Sequence, residues 1–278
     1  MLTFWYYFAV FPRRISVAER EPHPCRARLL AKAFGVAQRR RAFTLLEMLV
    51  VMGIIAILMV LVAPAFTNLK SAGDVTGAAY TVKGVLDTAR TYAIANNTYT
   101  WVGFFEEDVS STMPGTPGVG RLVMSIVASK DGTMMYAPPL TPTVTLTAGS
   151  LIQVGKLSKI DNIHLKTFPN ATAAPPPDTF ATRPVVGANT ARIGDTAPPS
   201  PSLRFQYPVA GTQYTFAKIV QFNPRGEPVI DNSNYTFTPV SEIGLEPTHG
   251  NVTPNPTPAN LVAVQFTGMS GDVKIYRR

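Results

Sequence analysis

The sequence predicts an α+β protein in which a long N-terminal helix, membrane-spanning in its first half and amphipathic in its second, packs on an antiparallel β-sheet domain. Three observations predict it. Residues 43–63 form an apolar run interrupted by one carboxylate, Glu47. Residues 75–93 carry apolar side chains three or four apart, the spacing of a helical stripe. Beyond Asn97 the chain turns to short β-branched and aromatic runs, several alternating with polar residues and separated by turn formers.

The first 42 residues stand apart. The chain has 278 residues, enough to bury a core, and a formal net charge of +8. Residues 1–42 hold nine Lys and Arg against Glu19 and Glu21, which leaves a surplus of about one positive charge from Phe43 to Arg278. The basicity therefore belongs to this leader and not to a nucleic-acid-binding face. The single cysteine, Cys25, lies there too, so the rest of the chain can form no disulfide and no cysteine-ligated metal site. Residues 1–38 combine an aromatic burst with Pro12, Pro22 and Pro24 and show no sustained periodicity, so no domain is expected. A start at Val36 in place of Met1 would leave the compact leader "VAQRRRA".

From Phe43 to Ala63 there are 21 residues, about 31 Å of helix, which matches a hydrocarbon core of about 30 Å. A transmembrane helix is expected over about 43–65. The Arg39–Arg41 cluster marks the cytoplasmic side, so the remainder of the chain is expected to be exported. Past Pro64, Val75, Ala78, Ala79, Val82, Val85, Leu86, Ala89, Tyr92 and Ala93 form one stripe. Of these, Val75, Ala79, Val82, Leu86 and Tyr92 are expected to face the sheet. Gly73, Gly77 and Gly84 weaken the helix by about 1 kcal/mol each relative to alanine. The pair Asn96-Asn97 supplies a stop, because asparagine tolerates the left-handed conformation, so the helix is expected over 43–97.

The β-rich domain is expected over 98–278. Strands are expected in "TYTWVGFF" (98–105), "RLVMSIVAS" (121–129), "SLIQVGKL" (150–157), "NIHLKTF" (162–168), "QYTFAKIVQF" (213–222), "NLVAVQF" (260–266) and "DVKIYR" (272–277). Residues 169–201 and 247–258 are rich in Pro, Thr and Ala and read as long surface loops. The chain shows no internal repeat.

A carboxylate inside a membrane helix costs about 2.5–3.5 kcal/mol on insertion scales and calls for a partner. The segment "RRRAFTLLEMLVV" resembles the signal of type IV pilins and type II secretion pseudopilins: a basic leader, a small residue, a phenylalanine, and a glutamate four residues on. Pro64 falls where pilins commonly bend. The resemblance implies that a prepilin peptidase removes residues 1–42 by cutting between Ala42 and Phe43, and methylates the new amine. Ala42 departs from the family's usual glycine. The resemblance also implies that Phe43, Glu47 and Pro64 serve assembly, with Glu47 neutralising the Phe43 amine of a neighbouring subunit. The segments "LDTARTYAIANNTYTWVGFF" (86–105), "IVQFNPRGEPVI" (219–230) and "LVAVQFTGMSGDVKIYR" (261–277) are similar to H-type minor pseudopilins, and the combination is similar to the Verru_Chthon cassette protein D family.

These likenesses imply a structural subunit of a secretion or pilus-like filament, with no reaction catalysed and no cofactor. Its implied partners are the prepilin peptidase, other pilin-like subunits and the inner-membrane assembly platform. The implied location is the inner membrane, single-pass with the N-terminus cytoplasmic, and the C-terminal domain periplasmic or in an extracellular filament. An uncleaved anchor, or a secretory signal cut after "APA" (63–65), would make the chain an anchored or secreted β-rich enzyme or binding protein; both leave Glu47 without a purpose.

Other chemistry finds little footing. His23, His164 and His249 are too far apart to read as ligands of one metal. "GTPGVG" (115–120) lacks the Lys-Ser/Thr of a phosphate loop and reads as a turn. "EED" (106–108) reads as a solvated strand end, and Lys274, Arg277 and Arg278 as a frayed one. Three phosphate contacts would give a log-log salt slope of only about −2.7, so no nucleic acid partner is expected.

Overall fold

A computed structural model describes residues 43–137, 140, 143–170, 180, 183–187, 191–198, 201–230 and 238–278, with the side chains of 61–72 excepted. Ala42, His23, Cys25 and the remainder of the leader lie outside the described residues. The chain divides into two compact units, Met1–Met52 and Gly53–Arg278. Of the first, residues 43–52 are described: Phe43 and Thr44 precede a helix that begins at Leu45, and all ten side chains are exposed.

The helix, α1, spans Leu45–Ala95. Its end follows the asparagine signal: Asn97 takes a left-handed φ of 49°, and the Thr98 amide donates back to Ala93 O at 3.0 Å. Among the described residues no helix is long and apolar enough to cross a membrane. The expected span over 43–65 includes residues 61–65, whose side chains are not described.

Twelve strands follow among the described residues: β1 (Thr100–Asp108), β2 (Gly120–Ser129), β3 (Val144–Thr145), β4 (Leu151–Leu165), β5 (Arg192–Ile193), β6 (Leu203–Tyr207), β7 (Tyr214–Phe216), β8 (Lys218–Phe222), β9 (Pro228–Val229), β10 (Val240–Pro247), β11 (Val262–Thr267) and β12 (Val273–Arg277). The large sheet runs β12-β11-β10-β4-β2-β1-β8-β9 and is antiparallel along this path, while β5 adds parallel to β10. A second, small sheet runs β3-β6-β7. The fold class is thus α+β with a large antiparallel sheet.

Side-chain alternation along β1 sorts the two faces. Val102 and Phe104 join the helix stripe in one core, with Val75, Ala79, Val82 and Leu86 at 1% exposure or less. Thr100 fixes the seam by donating from Oγ1 to Ala89 O at 3.1 Å. Tyr92 departs from expectation: it is half-buried on the flank of the stripe and is not part of that core. Trp101 and Phe105 face the other way, into a second core with Phe205, Tyr214 and Phe216 of the small sheet. Gly103 permits this approach, since a Cβ there would lie 2.5 Å from Phe216 Cβ.

Several strand expectations need correction. The two strands expected at 150–157 and 162–168 are one, β4. Its register against β2 shifts between Met124 and Ile126 and between Gly120 and Arg121, and Gly155 and Asn162 take positive φ of 75° and 62°; bulges bend the strand without ending it. The strand expected at 213–222 is two, because the chain leaves the small sheet after Phe216 and enters the large one at Lys218. β10 was unforeseen. Its sequence, "VSEIGLEP", holds two glutamates, a glycine and a proline, yet every residue after Val240 is buried. The stretch 169–201 is no mere surface loop: Phe180, Val186, Ala191 and Ile193 are buried, and it contributes β5. Of 247–258, Pro247 closes β10, and a bridge between His249 and Val252 follows it.

Candidate functional site

Two of the expected processing and assembly residues, Phe43 and Glu47, lie at the helix start. Thr44 caps it: its hydroxyl oxygen accepts the Glu47 amide at 3.2 Å, and its carbonyl accepts the first helical bond, from Met48, at 3.2 Å. "TLLE" (44–47) therefore has the spacing of a capping box, a signal that sequence reasoning passed over in Thr44. The cap places the Glu47 carboxylate in the first turn, where the helix dipole favours a negative charge by about 0.3–1 kcal/mol when exposed. Phe43 sits just ahead of the cap and is 69% exposed. Past Glu47, the side chains from Met48 to Val60 are all exposed and, apart from Gly53, apolar. Pro64 lies within α1 as helical backbone, its side chain not described, and Ala42 lies outside the described residues.

The β-domain holds three charged clusters, and none was foreseen. Glu107 is 2% exposed, the reverse of the solvated strand end expected for "EED". It accepts hydrogen bonds from the Gly115 amide at 2.8 Å, Tyr214 Oη at 2.7 Å, Arg121 at 3.1 Å and Lys159 at 3.2 Å. Burial alone would push its carboxyl up, but these four donors outweigh it and hold the pKa at about 2. Arg121 also reaches Asp161 at 2.5 Å, which raises its own pKa. The turn "GTPGVG" thus holds the Glu107 carboxylate through Gly115.

Glu106 forms the second cluster. Its Oε1 lies 2.6 Å from His164 Nδ1 and accepts the Leu165 amide at 2.9 Å, and its Oε2 lies 3.4 Å from Lys218. His164 is buried against this carboxylate, and His249 is exposed.

The third cluster is fully enclosed. Glu242 in β10 is 1% exposed and accepts from Arg183 at 2.8 Å and from Gln265 at 2.7 Å. Burial raises its pKa, opposed by Gln265 and by the charges of Arg183 and Arg192. The Arg183 guanidinium also lies 5.3 Å from the Phe180 ring centre.

In all three clusters the ionic groups face one another. The arrangement ties strands and loops together. Among the described residues no three His, Cys, Asp or Glu side chains gather as metal ligands.

Comparison with known proteins adds one match: the prokaryotic N-terminal methylation motif, over residues 37–63. No curated protein and no solved structure matches the chain. The matched residues run from the arginine cluster through Phe43, the Thr44 cap and Glu47 into the exposed apolar helix, so the chain carries the N-terminal methylation signal of type IV pilins and pseudopilins.

Proposed function

We propose that this chain is a pilin-like structural subunit of a type II secretion or type IV pilus-like filament, nearest in kind to H-type minor pseudopilins. The observation that carries the reading is the methylation motif at the start of a capped helix whose exposed apolar part carries one carboxylate. A prepilin peptidase cuts before Phe43 and methylates its amine. Residues 43–65 hold the subunit in the inner membrane with the β-domain exported, and the helix then passes into the filament among other pilin-like subunits. The chain catalyses no reaction.

Glu47 has a physical role in this scheme. An ammonium group at Phe43 would sit beside the positive end of its own helix dipole, an unfavourable place. A neighbour's Glu47 offers it a countercharge, and two buried charges that neutralise each other avoid the cost of burying either alone. Glu47→Ala is expected to leave membrane insertion intact or improved while reducing cross-linked incorporation into filaments. Unchanged incorporation contradicts the pairing. Filament-independent activity of the exported domain on hydrolase substrates would favour an anchored enzyme instead.

A further inference from the structure

Among the described residues β12 is paired on one side only. The amide of Arg278 donates to Leu261 O at 3.1 Å and that of Thr267 to Asp272 O at 3.2 Å. Opposed residues in an antiparallel pair alternate between hydrogen-bonded and non-hydrogen-bonded, so the register of β12 on β11 points Lys274 and Tyr276 inward by their backbone and Val273, Ile275 and Arg277 outward. An independent contact agrees: Lys83 Nζ, from α1, donates to the outward Val273 O at 3.1 Å. The outward amides and carbonyls of Ile275 and Arg277 remain, and among the described residues no strand lies beyond β12. The strand is not the frayed end that its sequence suggests. Val273 and Ile275 pack on the helix-side core, and the Arg277 guanidinium lies 5.9 Å from the Tyr80 ring centre.

The rim of this edge is basic. Lys274, Arg277 and Arg278 are exposed, while Asp272, just ahead of the strand, accepts from Ser270, and Asp87 of α1 pairs with Lys83. A second copy of β12 laid against the first would bring these cations together, which disfavours self-pairing. An acidic strand meets the opposite field. We propose that the outer edge of β12 receives an extended, acidic segment of a partner protein, which adds to the large sheet as a further strand through Ile275 and Arg277. Main-chain hydrogen bonds supply the attachment and the basic rim selects the partner's charge. This inference is independent of filament assembly.

The test uses the full chain in detergent with labelled seven-residue peptides: alternating Glu and Val, alternating Lys and Val, and the acidic peptide with a central proline. The acidic peptide is expected to bind at least tenfold tighter than the other two. Its binding should protect the Ile275 and Arg277 amides from hydrogen exchange, and add little at Lys274 and Tyr276, already bonded to β11. Lys274→Glu with Arg277→Glu is expected to reverse the preference toward the basic peptide. Ile275→Pro removes an outward amide and none bonded to β11, together with the Ile275 contact on the helix-side core, and should weaken the acidic peptide at least tenfold while the chain's unfolding transition persists. Equal binding of the proline-containing peptide, equal competition by duplex DNA or anionic vesicles, or protection without the alternating pattern overturns the proposal. Should Ile275→Pro unfold the chain, the charge reversal and the exchange pattern still decide.

Discussion

Tyr214 in the small sheet donates its hydroxyl to Glu107 in the large sheet at 2.7 Å, so one buried hydrogen bond closes the second core at its charged end. Tyr214→Phe keeps the ring and removes the donor. Loss of a hydrogen bond to a charged group costs about 1.5–3 kcal/mol. Urea unfolding is expected to show a stability lower by that amount, read as a lower midpoint with an unchanged slope.

Acid should act on the same carboxylate. The folded pKa of Glu107 is about 2 against an ordinary 4.5, so its contribution is fully present above pH 4.5 and is lost as pH falls toward 2. A shift of this size corresponds to about 3 kcal/mol. Urea midpoints measured from pH 6 to pH 3 should fall more steeply for the native chain than for Glu107→Gln. Parallel curves contradict the assignment.

Gly103 and Phe216 set the spacing of the two sheets. A methyl at position 103 would meet Phe216 Cβ at 2.5 Å and Phe205 Cζ at 2.6 Å. Gly103→Ala is expected to cost about 1–3 kcal/mol by overpacking, with near-ultraviolet dichroism of Trp101 and Tyr214 changed. Gly149→Ala, where a methyl meets nothing within 4 Å, is the control.

The Arg183–Glu242 pair is buried at both ends, with side-chain exposures of 2% and 1%. Removing one partner leaves a buried charge, so Arg183→Met should destabilise by about 3–5 kcal/mol. Neutralising Glu242 in the same chain, with Arg183→Met and Glu242→Gln, should recover part of that loss. A double variant as unstable as the sum of the singles contradicts the coupling.

The elements legible in the sequence are those where local pattern and tertiary use agree. The helix stripe from Val75 to Ala93 and the stop at Asn96-Asn97 declare themselves by period and by backbone preference, and β1, β2, β11 and β12 by their β-branched runs. What stayed hidden depends on partners far along the chain. β10 reads as polar because Glu242 and Glu246 sit in it, and distant partners, Arg183 59 residues away and Gln265 23 away, make Glu242 a core residue. "EED" reads as solvated for the same reason, since the donors to Glu107 come from four separate segments. Register and bulges, as at Gly155 and Asn162, are set by pairing geometry that composition does not encode. At the helix start the reverse holds. The signal over residues 37–63 is legible because a processing signal must be read as linear sequence, and the Thr44 cap is the feature that needs the structure.

In the proposed scheme processing before Phe43 creates the assembling subunit, and the N-terminal peptide of the chain from membranes reports whether it occurs. Mass spectrometry of cells with an active prepilin peptidase should find a chain beginning at an N-methylated Phe43, and cells lacking the peptidase should retain residues ahead of it. A mature chain that starts at Phe66, or one that keeps its arginine leader in both strains, rules out cleavage before Phe43.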